Sequence, residues 1–124
     1  SLFKDATAFN QNLSSWNTSA VTGMSAMFKG ATSFNQDIGD WNTSAVTHMN
    51  NTFLDATTFN QDISDWNTGN VTSMTSLFQD ASSFNQDISG WNVSNVGTLN
   101  PATGEPYNFD NGATAWDPAN KPTF

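Results

Sequence analysis

Apolar side chains return along this chain every 25 residues. One phase reads Phe9, Phe34, Phe59, Phe84 and Phe109, and another Trp16, Trp41, Trp66, Trp91 and Trp116. Leu13, Ile38, Ile63 and Ile88 form a third, and Val21, Val46, Val71 and Val96 a fourth. Met24, Met49, Met74 and Leu99 follow, then Phe3, Phe28, Phe53 and Phe78, then Ala6, Ala31, Ala56 and Ala81. So many phases locked to one period imply a repeat solenoid, in which no copy buries its own apolar face and stacked neighbours build the core.

Within a copy, Met24, Met27, Phe28 and Ala31 stand at i, i+3, i+4 and i+7, as Met74, Leu77, Phe78 and Ala81 do again. That spacing predicts about two helical turns per copy, with Thr22 or Thr72 placed to cap them. The other half of the copy fits two descriptions. Phe34, Ile38 and Trp41 continue a helical face, but the Asn-Thr-Ser or Asn-Thr-Gly after Trp16, Trp41 and Trp66 is turn chemistry, and Ile, Trp, Val and Thr favour strands. Short strands at residues 37–41 and 46–49, paired with their copies above and below, are the reading adopted. The expected fold is an α/β solenoid of about five coils.

Residues 1–100 hold four copies, the first entering in mid-helix, and residues 101–124 a degenerate terminal copy. Pro101, Gly104 and Pro106 occupy the phase that starts the helix elsewhere and exclude a regular one there. Phe109 and Trp116 keep the 25-residue phase, so this stretch reads as a cap. At the other end, Ser1, Leu2 and Phe3 match Ala26, Met27 and Phe28, while Phe124 falls at the phase of Met24. Two readings follow: a fragment cut at a repeat boundary, or a subunit that stacks end to end through Ser1, Leu2, Phe3 and Phe124. A bare end otherwise exposes apolar core and unpaired strand edges.

Composition narrows the partners. The formal charge is −8, from three basic and eleven acidic side chains. Too few cations are present to neutralise a phosphate backbone or to hold an anionic membrane surface. No apolar run is long enough to span a bilayer. Cysteine is absent and His48 is the only histidine, which removes disulfides, thiolate metal sites and any two-histidine site. Asn, Ser and Thr carry the polar surface in place of charge, a composition suited to secreted or surface proteins.

The motif Met-x-x-Met-Phe-x-x-Ala-x-x-Phe-Asn-Gln-Asp-Ile-x-x-Trp-Asn-Thr-Ser-x-Val-Thr, complete at residues 24–47, resembles the BspA-like leucine-rich-repeat surface proteins. It is similar in particular to the 25-residue class first noted in mycoplasma surface lipoproteins. The resemblance covers residues 1 to about 100. It implies a leucine-rich-repeat-like solenoid, an extracellular or cell-surface location and an adhesive role, and it brings no catalytic residues.

Candidate chemistry is sparse. Asp37, Asp62 and Asp87, with Asp40 and Asp65 nearby, form the one carboxylate array. Stacked like charges repel, and calcium would suit them; the alternative is that each accepts hydrogen bonds from its own turn. No Asp-x-Asp-x-Asp or Gly-Gly-x-Gly-x-Asp loop is present, which favours the turn. An acid recurring in three successive copies also lacks the uniqueness of a hydrolase's catalytic acid. The pairs Asn10-Gln11, Asn35-Gln36, Asn60-Gln61 and Asn85-Gln86 read as an internal amide ladder. The tryptophan row fits either core packing or a sugar-stacking platform, with core favoured by its apolar neighbours. Sequons place Asn17, Asn42 and Asn92 as glycosylation candidates in turns. No cofactor is expected. The expectation is a non-enzymatic extracellular structural or adhesive protein whose partner is itself, by end-to-end stacking into a fibre. The alternative is a monomeric adhesin binding a glycan or protein along one face.

Overall fold

The computed structural model describes all 124 residues. Its only helix is a single 3-10 turn at Pro118–Asn120. Its β-pairing consists of isolated bridges, Gly23 with His48 and His48 with Ser73 in parallel, and Leu99 with Pro106 antiparallel. The expected α/β solenoid is therefore overturned, and with it the leucine-rich-repeat form that the resemblance implied. The backbone is a succession of turns, with no α-helix and no sheet.

The helix fails for a reason visible in the donors. Met27, Lys29 and Ala31 give their N–H groups three residues back, to Met24, Ala26 and Phe28. The intervening N–H groups of Met24, Ala26, Phe28 and Gly30 leave the copy and donate to His48, Asn50, Thr52 and Leu54. An α-helix spends every N–H along its own axis, whereas here alternate donors tie one copy to the next. The alternation needs left-handed backbone at Ala26 (φ 57°) and Gly30 (φ 69°), which a continuing right-handed helix excludes. Asn51 and Asp55, then Ser76 and Asp80, repeat it.

The strands at 37–41 and 46–49 fail differently. The Asp37 carboxylate takes the Gly39 N–H at 2.9 Å, Trp41 N–H turns back to Ile38, and Val46 N–H turns back to Thr43. Asp and Asn side chains thus hold the backbone in local turns that compete with a ladder. Parallel β-bridges between neighbouring copies form only at His48, with Gly23 and with Ser73, beside the bonds from Thr47 N–H to Thr22 and from Met49 N–H to Ser73.

The layers enclose one continuous core, in which the middle copies of each apolar phase are buried. Phe3, Phe28, Phe53 and Phe78 form a column of parallel rings with centroids 5.5–5.6 Å apart. Phe9, Phe34, Phe59 and Phe84 form a second at 5.9 Å, and Trp16, Trp41, Trp66 and Trp91 a third at 6.3–6.4 Å. Each indole is fixed in depth by its Nε1–H, which Trp41, Trp66 and Trp91 donate to the carbonyls of Leu13, Ile38 and Ile63. Buried Thr18, Thr43 and Thr68 donate their hydroxyls to Asn42, Asn67 and Asn92 carbonyls in the following layer. No buried side-chain polar atom lacks a partner.

The last layer departs from the sequence phase. Asn51 N–H donates to Thr75 and Phe53 N–H to Leu77, both 24 residues on, but Ser76 N–H donates to Tyr107 and Phe78 N–H to Phe109, both 31 residues on. Seven extra residues, 99–105, form the hairpin closed by Leu99 and Pro106. The matching of Phe109 to Phe84 and of Trp116 to Trp91 is therefore corrected. Buried Pro106 takes the place of Met74, Phe109 that of Leu77, Gly112 that of Asp80, and Trp116 that of Phe84.

Candidate functional site

Three polar rows run along the stack. In the first, the Asn10 carbonyl Oδ1 accepts from Asn35 N–H at 2.9 Å and from Gln36 Nε2 at 3.1 Å. Asn35 does the same for Asn60 and Gln61, and Asn60 for Asn85 and Gln86. Asn85 closes the row on Asp117 N–H and Asn120 Nδ2, so the 3-10 turn supplies what another Asn-Gln pair supplies elsewhere. The row is a ladder of bonds between layers, and its acceptors are occupied.

The second row is acidic. Asp37, Asp62 and Asp87 are exposed, and each accepts the N–H of the residue two positions on, Gly39, Ser64 and Ser89. The Ser89 hydroxyl and N–H hold the Asp87 carboxyl below its usual range. Ser64 does so for Asp62, against small opposing effects of burial and of the Asp87 charge. Asp37, Asp40, Asp62 and Asp65 share a shallow recess, but no three such side chains converge closely enough to hold a metal ion. The calcium candidates Asp37, Asp62 and Asp87 are thus placed as turn residues along one edge.

The third row holds the glycosylation candidates. Asn17, Asn42 and Asn92 are exposed, and each Oδ1 accepts both the N–H and the hydroxyl of the serine two residues on. Asn67 holds Gly69 in the same way. The tryptophans do not form a platform: Trp41, Trp66 and Trp91 are buried, and only Trp16 is open, at 43%.

The two ends of the stack differ. Ser1 and Leu2 are exposed, and Phe3 is half-buried against Phe9 and Phe28. Leu2, Trp16, Val21, Met24, Met27 and Trp41 surround an apolar cavity of about 120 Å³. Phe124 lies in the last layer, half-buried and edge-on to Phe109 at 5.0 Å. The self-association residues therefore sit at opposite ends and do not meet within one chain. The C-terminal residues also hold a charged cluster that sequence reading missed. Lys121 pairs with Asp110 at 2.5 Å and lies 5.6 Å over the Trp116 ring. Glu105 stands close by, its carboxyl pushed up by burial and by Asp110 and partly drawn back by Lys121. Lys121 is one of three cations in the chain, and that rarity was the available signal.

The stack of turn-built layers spans the region, residues 1–120, that matches a family described as "Mycoplasma protein of unknown function, DUF285". The chain belongs to that family. A mycoplasma family fits the class of mycoplasma surface repeats that the motif resembles. DUF285 membership carries no catalytic or ligand residues to place on the rows above. No curated protein and no solved structure matches the chain. No helix is long and apolar enough to cross a membrane.

Proposed function

We propose that this DUF285 chain is a non-catalytic structural or adhesive module at the cell exterior, and that it extends by stacking layer on layer with further copies of itself. The reading draws on the surface class that the repeat motif resembles, BspA-like proteins included, for its role and not for its fold.

One observation carries it. Inside the stack, Phe28 and Gly30 N–H groups bond to Thr52 and Leu54 carbonyls of the next layer. At the outer faces this exchange is half made. The Leu2 and Lys4 carbonyls, which occupy the acceptor positions of the first layer, receive no hydrogen bond within the chain. The N–H groups of Asp110 and Gly112, which occupy the donor positions of the last layer, give none. A second copy in the same orientation brings Asp110 N–H to Leu2 and Gly112 N–H to Lys4, and covers Leu2, Phe3 and Trp16. Such a contact is heterologous and does not close, so it grows into a filament.

Electron microscopy of the purified chain, beside its mass in solution over a concentration series, tests the reading. Filaments that disappear in Leu2→Asp support it. A dispersed monomer at high concentration sinks stacking and leaves the adhesin reading, in which the exposed Asn-Ser and Asp rows contact a glycan or protein.

A further inference from the structure

Seventeen asparagines occur in the chain, and Asn111 alone is followed by glycine. Most of the others are held. Asn10, Asn35, Asn60 and Asn85 bridge layers, and Asn17, Asn42, Asn67 and Asn92 close their own turns. Asn111 is exposed and its side-chain amide makes no hydrogen bond, while the Gly112 N–H has no acceptor within the chain.

We infer that Asn111-Gly112 is a site of spontaneous covalent modification, deamidation through a succinimide. The Gly112 nitrogen attacks the Asn111 side-chain carbon. The new C–N bond closes a five-membered ring, the bond to Nδ2 breaks, and that nitrogen leaves as ammonia with the Gly112 proton. Water then opens the ring at either carbonyl and leaves aspartate or isoaspartate at 111. Glycine offers no Cβ to obstruct the attack, and no bond has to be broken first to free its nitrogen.

The packing explains why glycine stands there. Gly112 has a φ of 82°, and a Cβ on it would collide with Asp80 Oδ1 and come within 3.2 Å of Asp80 Cα. The equivalent position in an earlier layer, Gly30, sits against Asp5 in the same way. Gly30, however, follows Lys29, so the same backbone requirement creates no reactive pair there.

The modification acts on the last rung of the stack. Asn111 O accepts the Asp80 N–H at 2.7 Å. Isoaspartate reroutes the main chain through the side chain and displaces that carbonyl, and either product adds a negative charge next to Asp110. The expected consequence is a loosened C-terminal layer above an intact interior.

Peptide mapping by mass spectrometry tests this on the dispersed chain, fresh and after prolonged incubation at mildly alkaline pH. The expected result is loss of the Asn111 form, isoaspartate in excess over aspartate at that position, and faster exchange of the Asp80 amide hydrogen in the aged sample. Asn111→Gln should abolish both changes while keeping the amide and the neutral charge. An Asn111 that persists while other asparagines react, or that reacts no faster than they do, overturns the site. Modification that leaves Asp80 exchange unchanged overturns the consequence for the last layer.

Discussion

Around Phe53 the rings of Phe28, Phe59 and Phe78 lie within 5–9° of parallel. Around Trp116 the rings of Phe78 and Phe84 stand at 66° and 80° to it. Both layers satisfy the same backbone donors and both bury their aromatic groups, but they differ in what can follow. A parallel column presents on its upper face the same surface that it received from below, so it extends. A ring turned on edge lies across two columns at once, touching Phe78 and Phe84 within 5.0 Å, and ends both. Lys121, paired with Asp110 and 5.6 Å over the Trp116 ring, then sets an ion pair against this last ring, where the interior layers set another aromatic group. The backbone edge still offers donors at this end, while the ring columns do not. Stacking by a second copy therefore rests more on main-chain bonds than on apolar area.

The largest difference between the two regions is expected on truncating their rings. Phe53→Ala empties an interior position of its column and should cost about 3–5 kcal/mol, lowering the denaturation midpoint of the whole chain because each layer depends on its neighbours. Trp116→Ala removes a ring of comparable size, yet its layer has neighbours on one side only. Amide exchange should accelerate at Phe78 and Asp80, whose N–H groups bond to the last layer, and stay slow at Phe28. Equal acceleration at Phe28 and Phe78 in the Trp116 variant means that the C-terminal layer is no separate unit.

A smaller effect distinguishes the ladders. Asn60→Ala removes the acceptor of Asn85 N–H and Gln86 Nε2, and should cost about 1–2 kcal/mol, two exposed bonds with one stranded backbone donor. Asn85→Ala removes the acceptor of Asp117 N–H and Asn120 Nδ2 and should cost the same if the 3-10 turn replaces an Asn-Gln pair in energy as well as in geometry. Urea midpoints of the two variants make the comparison.

The contrast also shows what the sequence could tell. The 25-residue period and the burial of its apolar phases were legible, because buried aromatic side chains recur wherever layers stack. The Asn-Gln ladder was legible as well, since identical amides in register have few other uses. Local conformation was not. Met24, Met27, Phe28 and Ala31 carry helical spacing because three-residue turns also bring i and i+3 to one side, and left-handed Ala26 leaves no mark in composition. The last register was hidden by coincidence: Phe109 and Trp116 fall on the 25-residue phase of Phe84 and Trp91, yet backbone pairing places them at Leu77 and Phe84.

The register can be tested by removing the insertion. Deleting residues 99–105 joins Thr98 to Pro106 and restores the spacing of the interior, with Pro106 still at the Met74 position. Its ends already lie together in the Leu99–Pro106 bridge, so the stability change should stay within about 1 kcal/mol, the scale of a modest change in loop length. Amide protection at Ser76, Phe78 and Asp80 should persist. Its loss at all three would mean that the hairpin holds the last layer in place and does not merely lengthen the connection.

The smallest expected effects are electrostatic, and they have opposite signs in the two regions. Asp87 has its carboxyl lowered from 3.8 by Ser89, so its contribution is present above about that pH and is lost as pH falls through the folded value. Glu105 has its carboxyl raised from 4.5 by burial and by Asp110, so its contribution is full below that pH and is lost as pH rises through the folded value. Asp87→Asn should thus lower the melting temperature at neutral pH and flatten its fall in acid. Glu105→Gln should raise it at neutral pH, where the buried charge is costly, and change little in acid, where the native side chain is already protonated. Asp87 is exposed and Glu105 only half-buried, so shifts of a degree or so are expected, read from melting curves of paired variants across about pH 3 to 7. A Glu105→Gln protein less stable than the parent at neutral pH reverses the assignment: attraction to Lys121 would then outweigh desolvation, and the C-terminal layer would be held by charge in the way the interior is held by amides.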